Sequence, residues 1–214
     1  MTSVAELFSH AGLVRAGSVP WGDAPTLSAP GVYLVSTFED HECDAGLEVP
    51  PLDSQAVGAL LAVRPEASVD GAPATPVSIA HRLRQMWPAG EPVVYVGLAG
   101  TSVSRRVRQF YSTEIGARAP HAGGWPVKML DASKLWVHFA VAPDPDLAER
   151  VMLERFVSGL GSDVRSSLID PNLALPFANL TMPRGGRKKH GFSGVKASRT
   201  RRAHPEVLNV REAR

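Results

Sequence analysis

Two short segments, GVYLVSTF (31–38) and PVVYVG (92–97), constrain the fold of this chain more than any other feature. Both are rich in β-branched and aromatic residues, and each is entered through a proline, Pro30 or Pro92, so they read as strands preceded by turns. Each also carries a tyrosine, Tyr33 or Tyr95, inside its apolar run. A third segment, KLWVHFAVA (134–142), alternates in the manner of a strand. After Gly100 the hydroxyls of Thr101 and Ser102 are candidate N-caps for a helix running to about Tyr111. DPDLAERVMLERFVSGLG (144–161) is the strongest helix: Asp146 with Glu149 three residues later matches a capping box, and Gly159 and Gly161 offer a stop. The order strand, strand, helix, strand, helix gives a mixed α/β fold of the α+β type.

The chain has 214 residues, a length that suits one decorated domain spanning 1–214 better than two. Its decorations are an insertion at about 39–91 and a basic segment at about 181–214. In the insertion, the proline-rich stretches EVPPLD and GAPATPVS bracket AVGALLAV. SIAHRLRQMW follows, where Ser78 is a candidate cap for a helix with Ile79, Leu83 and Met86 on its apolar face. Cys43 is the single cysteine, which excludes an intrachain disulfide and disfavours a cysteine-rich zinc site. No apolar stretch approaches a bilayer-crossing length and the start of the chain lacks the pattern of a secretion signal, so the expectation is a cytoplasmic protein without a membrane partner.

The net charge of +2 is small, but it is unevenly spread. Between Glu39 and Asp70 the chain holds eight acids against Arg64 alone. Between Leu180 and Pro205 there is no acid, while Arg184, Arg187, Lys188, Lys189, Lys196, Arg199, Arg201 and Arg202 accumulate among glycines. Such a segment suits a phosphate backbone, although a solvated basic tail has the same composition.

Two polar residues break the helical pattern. In the first helix Val103, Val107 and Phe110 form the stripe, with Arg106 at its edge and Arg105 on the opposite side. In the second, Met152, Leu153, Phe156 and Leu160 form the stripe, and extending it backward reaches Glu149. Singly, Arg106 reads as a side chain lying over the core and Glu149 as a capping partner. Jointly with two strand tyrosines they make a phosphodiester site: cation for the phosphate, carboxylate for a metal ion, phenol for the attacking water.

With these residues the sequence resembles the GIY-YIG nuclease superfamily. GVY (31–33) and YVG (95–97) stand for its two tyrosine motifs, VSRRV (103–107) for its arginine helix, ERVMLERF (149–156) for its glutamate helix, and LPFANL (175–180) for the segment whose asparagine, here Asn179, supports the site. HAGGW (121–125) is similar to a loop of some members. Two positions depart: Leu98 stands where many members have lysine, and Phe110 where some have histidine. Lys128, His121 or Tyr111 are candidates for the lost contact.

The resemblance implies a small central antiparallel three-stranded sheet flanked by helices, with the long insertion between the first two strands. Tyr33 and Tyr95 would project from neighbouring strands, and the small residues after Tyr95 would let a DNA backbone approach. Glu149 is then the ligand of one magnesium or manganese ion, Arg106 grips the phosphate, Tyr33 accepts the proton of the attacking water with Tyr95 positioning it, and Asn179 and His121 support the site. Arg105, Lys128, Arg184, Arg187, Lys188 and Lys189 are the candidate contacts to double-stranded DNA. The implied activity is metal-dependent DNA cleavage, foremost as a type II restriction-like enzyme, for which a homodimer or sequential nicking would cut both strands. A repair or mobile-element nuclease, and a nucleic-acid-binding module without cleavage, are the alternatives.

Overall fold

The computed structural model describes residues 1–120 and 123–197. In chain order its elements are α1 (Val4–His10), β1 (Arg15–Pro20), β2 (Gly31–Ser36), α2 (Ser54–Val63), β3 (Ser68–Val69), β4 (Ala72–Pro73), α3 (Pro76–Gln85), β5 (Val93–Ala99), α4 (Val103–Ser112), β6 (Trp136–Val141), α5 (Pro145–Gly159), α6 (Ser162–Ser167) and β7 (Phe192–Ser193), with short 3-10 turns between. The fold is α+β with antiparallel sheets.

The central sheet has four strands, in the order β1-β6-β2-β5, and not the expected three. The additional strand, RAGSVP, pairs with β6 at the outer edge. Its mixed exposure and terminal proline suit an edge position and leave no apolar alternation to announce it. A second sheet, β4-β3-β7, joins a hairpin of the insertion to the C-terminal segment through strands of two residues each.

Alternation along the central strands sorts the core into two faces. Tyr33, Val35, Tyr95, Val137 and Phe139 pack with Val103, Val107 and Phe110 of α4 and with the insertion helices. Val32, Leu34, Val96 and Ala140 pack with α1 and with Met152, Leu153 and Phe156 of α5. A bulge in the pairing of β2 with β5, between Val35 and Ser36, turns Val94 onto the same side as Tyr95.

The helix starts differ from the sequence pattern in two places. Thr75, not Ser78, caps α3, and Ser78 is the reciprocal partner of a capping box. Asp144, not Asp146, caps α5 by accepting from the Leu147 N–H, because Pro145 takes the first helical position. Ser102 caps α4 as expected and α5 closes at Gly159.

Two buried or half-buried arginines dock the C-terminal segment on the insertion. Arg82 of α3 forks onto the Asp70 carboxylate and donates to the His190 carbonyl at 3.0 Å. Arg64, the C-cap of α2, donates to the carbonyls of Gly194 at 3.1 Å and Lys196 at 3.0 Å. No described helix is long and apolar enough to cross a membrane.

His138 of β6 is wholly buried, its Nε2 within 2.9 Å of the Ser36 hydroxyl and 3.0 Å of the Phe38 carbonyl. Burial pushes its pKa down to about 4. An unfolded histidine, near 6.5, binds a proton that the folded one refuses, so stability is full above about pH 6.5 and falls toward pH 4, by about 3 kcal/mol from this group. His190, also pushed down to about 4 by burial first and neighbouring cations second, acts in the same direction. The melting temperature should therefore drop across this window, and His138→Gln should flatten the drop. An equal drop in the variant would remove His138 from the account.

Candidate active site

The register of β2 on β5 sets Tyr33 opposite Gly97 and Val35 opposite Tyr95, so the two phenols are diagonal neighbours on one face. Their ring centroids lie 6.0 Å apart. Interaction between the two side chains raises the Tyr33 phenol and lowers that of Tyr95.

Gly97 is the residue that permits this pair. A Cβ there would stand 2.6 Å from Tyr33 Cζ, 2.7 Å from Tyr95 Cε1 and 2.8 Å from the Tyr33 hydroxyl. The space after Tyr95 is thus filled by Tyr33 itself at Gly97; the expected open approach holds only at Gly100, where a Cβ would meet nothing within 4 Å. On the other side Gly124, at φ 63°, closes on Tyr95 and Phe110.

Tyr33 is 1% exposed and Tyr95 7%, and only Tyr95 lines the adjacent cleft of about 310 Å³. Glu149, Asn179, Arg187 and Lys196 line it too. Glu149 is the fifth residue of α5, in its second turn, where the helix terminus stabilises its charge only weakly. Burial pushes its carboxyl up to about 7; the neighbouring Asp146 adds to this and Arg106 opposes it.

Arg106 projects from α4, its guanidinium 3.5 Å from the Gln109 side-chain oxygen. Its positive charge lowers the pKa values of Tyr33, Tyr95 and Glu149 alike, while the charge of Glu149 raises both phenols. The four groups therefore sit within one electrostatic neighbourhood. No salt bridge joins Arg106 to Glu149 among the described residues. Burial comes first among the causes that hold both phenols above their ordinary value.

Asn179 enters from the strand edge. Its Oδ1 accepts from the Val96 N–H at 2.9 Å and its Nδ2 donates to the Val96 carbonyl at 2.8 Å, while the Ala178 N–H donates to the Val94 carbonyl at 2.9 Å. The amide thus holds β5 one residue beyond Tyr95.

The remaining expected residues divide. Arg105 is exposed and lines a groove of about 260 Å³ with Arg106, Gln109 and the half-buried Leu98. Arg184, at φ 56°, Arg187 and Lys189 are exposed. Lys188 is corrected: it is 4% exposed, and its ammonium donates to the carbonyls of Leu175, Pro176 and Phe177 at 3.2, 2.9 and 3.3 Å. It braces the segment leading to Asn179 and cannot reach a ligand. Lys128 is corrected too: its ammonium donates to the Tyr111 and Thr113 carbonyls at the end of α4, so it closes a helix terminus. His121 lies outside the described residues, as do Arg199, Arg201 and Arg202. Phe110 is buried against Tyr95 and Trp21 at centroid distances of 5.5 and 5.1 Å.

Among the described residues no cluster of three or more His, Cys, Asp or Glu side chains could hold a metal ion. A single carboxylate in an open cleft nonetheless fits magnesium, which keeps several waters and binds through one or two carboxylates together with substrate phosphates. Comparison with protein-family models, curated proteins and solved structures finds no match for this chain.

Overpacking at the tyrosine pair gives a direct test of this geometry. Gly97→Ala should cost about 1–3 kcal/mol in denaturant unfolding, because the phenols on both sides must move, whereas Gly100→Ala should cost much less. Equal costs would show that the two rings do not close over Gly97.

Proposed function

We propose that the protein is a metal-dependent DNA endonuclease, a GIY-YIG-type enzyme of the restriction-like class. The observation that carries this reading is that Tyr33 and Tyr95 stand side by side on one face of the sheet, ring centroids 6.0 Å apart, with Tyr95, Glu149 and Asn179 lining one cleft and Arg106 near enough for its charge to act on both phenols and the carboxyl. Water attacks phosphorus and the bond to the leaving sugar oxygen breaks in line. Arg106 grips the phosphate and stabilises the charge that develops on its oxygens. Glu149 would hold a magnesium or manganese ion, which would supply positive charge to offset that developing on the phosphate.

The burial pattern favours exchanging the two tyrosine roles. Tyr95 lines the cleft and so is the phenol that meets the nucleophile, while Tyr33, enclosed behind it, orients the Tyr95 hydroxyl. At rest neither phenol is acidic enough to take a proton near neutral pH, since burial raises both and the charge of Glu149 adds to it. Positive charge placed on Glu149 would turn that second contribution around. Asn179 keeps Tyr95 in place through the backbone of Val96.

A non-cleaving nucleic-acid-binding module is the second reading, favoured by the apolar Leu98 and Phe110 beside the site. Incubation with supercoiled plasmid, with and without magnesium, separates the two. Cleavage should require the metal, and a fixed palindromic site at the ends would place the enzyme in the restriction class over repair or mobile-element nucleases. Glu149→Gln should abolish nicking while leaving duplex binding largely intact. Tyr95→Phe should lose about 10²-fold or more, and Tyr33→Phe less. Nicking by Glu149→Gln at the wild-type rate would refute the assignment.

A further inference from the structure

The C-terminal segment returns to the cleft at two points. Arg187 and Lys196 both line it together with Tyr95 and Glu149, and both also line a neighbouring cleft of about 430 Å³ with Lys189. The two depressions therefore form one continuous path whose shared wall is basic. Arg118, from the loop after α4, lies close enough for its charge to act on Lys196 alongside that of Arg187. Two cations on one wall of the cleft, with a third in reach of Lys196, give that side a positive field that favours an anion.

The backbone around Lys196 is held from both sides. Its carbonyl accepts from Arg64 at 3.0 Å, and the next N–H, of Ala197, donates to the Gly116 carbonyl at 2.9 Å. Arg187 is fixed by the bridge of its backbone to Thr181. The indole N–H of Trp125, a residue lining the neighbouring cleft, finds no acceptor among the described residues. The backbone that carries Arg187 and Lys196 is thus held in place along the cleft that Tyr95 and Glu149 also line.

We infer that Arg187 and Lys196 form a phosphate clamp, holding a DNA backbone phosphate next to the one gripped by Arg106 and supplying from the C-terminal segment a cation that Leu98 does not provide beside Tyr95. This inference rests on the proposed nuclease reading. It assigns the insertion a task, because Arg64 and Arg82 of the insertion set the segment's course and so aim the clamp. Burial, and then Arg187 and Arg118, lower the Lys196 ammonium below its ordinary value.

The test uses the full chain carrying Glu149→Gln, so that bound DNA stays uncut, and reads fluorescence anisotropy of a labelled duplex across a salt series. Arg187→Ala with Lys196→Ala should weaken binding about tenfold or more, and should reduce the slope of log affinity against log salt by about 0.9 per lost contact, about 1.8 together. Arg84→Ala, which removes an exposed charge of α3 outside both clefts, should leave the slope unchanged. Lys196→Arg should restore the wild-type slope. Should the double variant fail to fold by its melting profile, the single variants Arg187→Gln and Lys196→Gln carry the same expectation, each losing about 0.9. Duplex binding with an unchanged slope in these variants, or an equal loss in Arg84→Ala, overturns the clamp alone. A parent protein that binds no duplex overturns the clamp and the nuclease reading together.

Discussion

The exposed edge of β5 is the constraint on which the rest of the site depends. This strand has a neighbour on one side only, β2, so its outer N–H and C=O groups need other partners. At Val96 a single carboxamide satisfies both, the Asn179 oxygen accepting and its nitrogen donating. Leaving the two groups unpaired costs about 1–3 kcal/mol each, and a carboxamide carries its acceptor and its donor on separate atoms that reach both at once. Closing the edge without another strand has a spatial consequence. Helices α4 and α5 pack on opposite faces of the sheet, and at an edge that no further strand covers a guanidinium from one and a carboxylate from the other can act on the same phenols.

The closing segment is braced in turn. Lys188 buries its ammonium against three successive carbonyls, of Leu175, Pro176 and Phe177, and burial pushes its pKa down to about 7. Its own N–H donates to the Leu180 carbonyl, so the same residue holds the chain on both sides of Asn179. Support therefore passes from Lys188 through residues 175–180 to Val96 and Tyr95. Beyond it, β7 joins the β3–β4 hairpin, and Arg82 and Arg64 bind the returning backbone. The insertion and the basic segment, distant in sequence, thus build one small sheet between them.

Much of this was legible in the residues where periodicity and burial agree. Tyr33 and Tyr95 stand in strands whose β-branched neighbours announce them, and the stripe of Val103, Val107 and Phe110 places Arg106 at its edge. The first strand was not legible, because RAGSVP is half exposed and ends on proline. Strands of two residues, as in β3, β4 and β7, are too short to carry a period. Composition misled at Lys188: a run of like charges reads as surface, and nothing in its spacing reveals that one ammonium turns inward to three carbonyls. Asp146 misled for a different reason, since the DPD pattern offers two caps and the fixed φ of Pro145 suits the first helical position, which selects Asp144. The purpose of Gly97 needed the register, because only the pairing with Tyr33 shows what would fill a Cβ there.

The acids of the cleft share one electrostatic condition. Burial comes first among the causes that raise Tyr33, Tyr95 and Glu149, and the positive charge of Arg106 opposes it in all three. A phosphate entering alone would meet the field of Arg106 and the basic wall but also the charge of Glu149. A divalent cation entering alone would gain Glu149 but meet Arg106. Together the two incoming charges offset each other's penalty in a site where low polarity strengthens every interaction. On the proposed nuclease reading the affinities for the two would be reciprocal, each tightened by the other through the same coupling free energy. A cleft with a single carboxylate would on these terms bind metal weakly at rest and firmly only with the nucleic acid in place, so that the substrate would complete the means of its own cleavage.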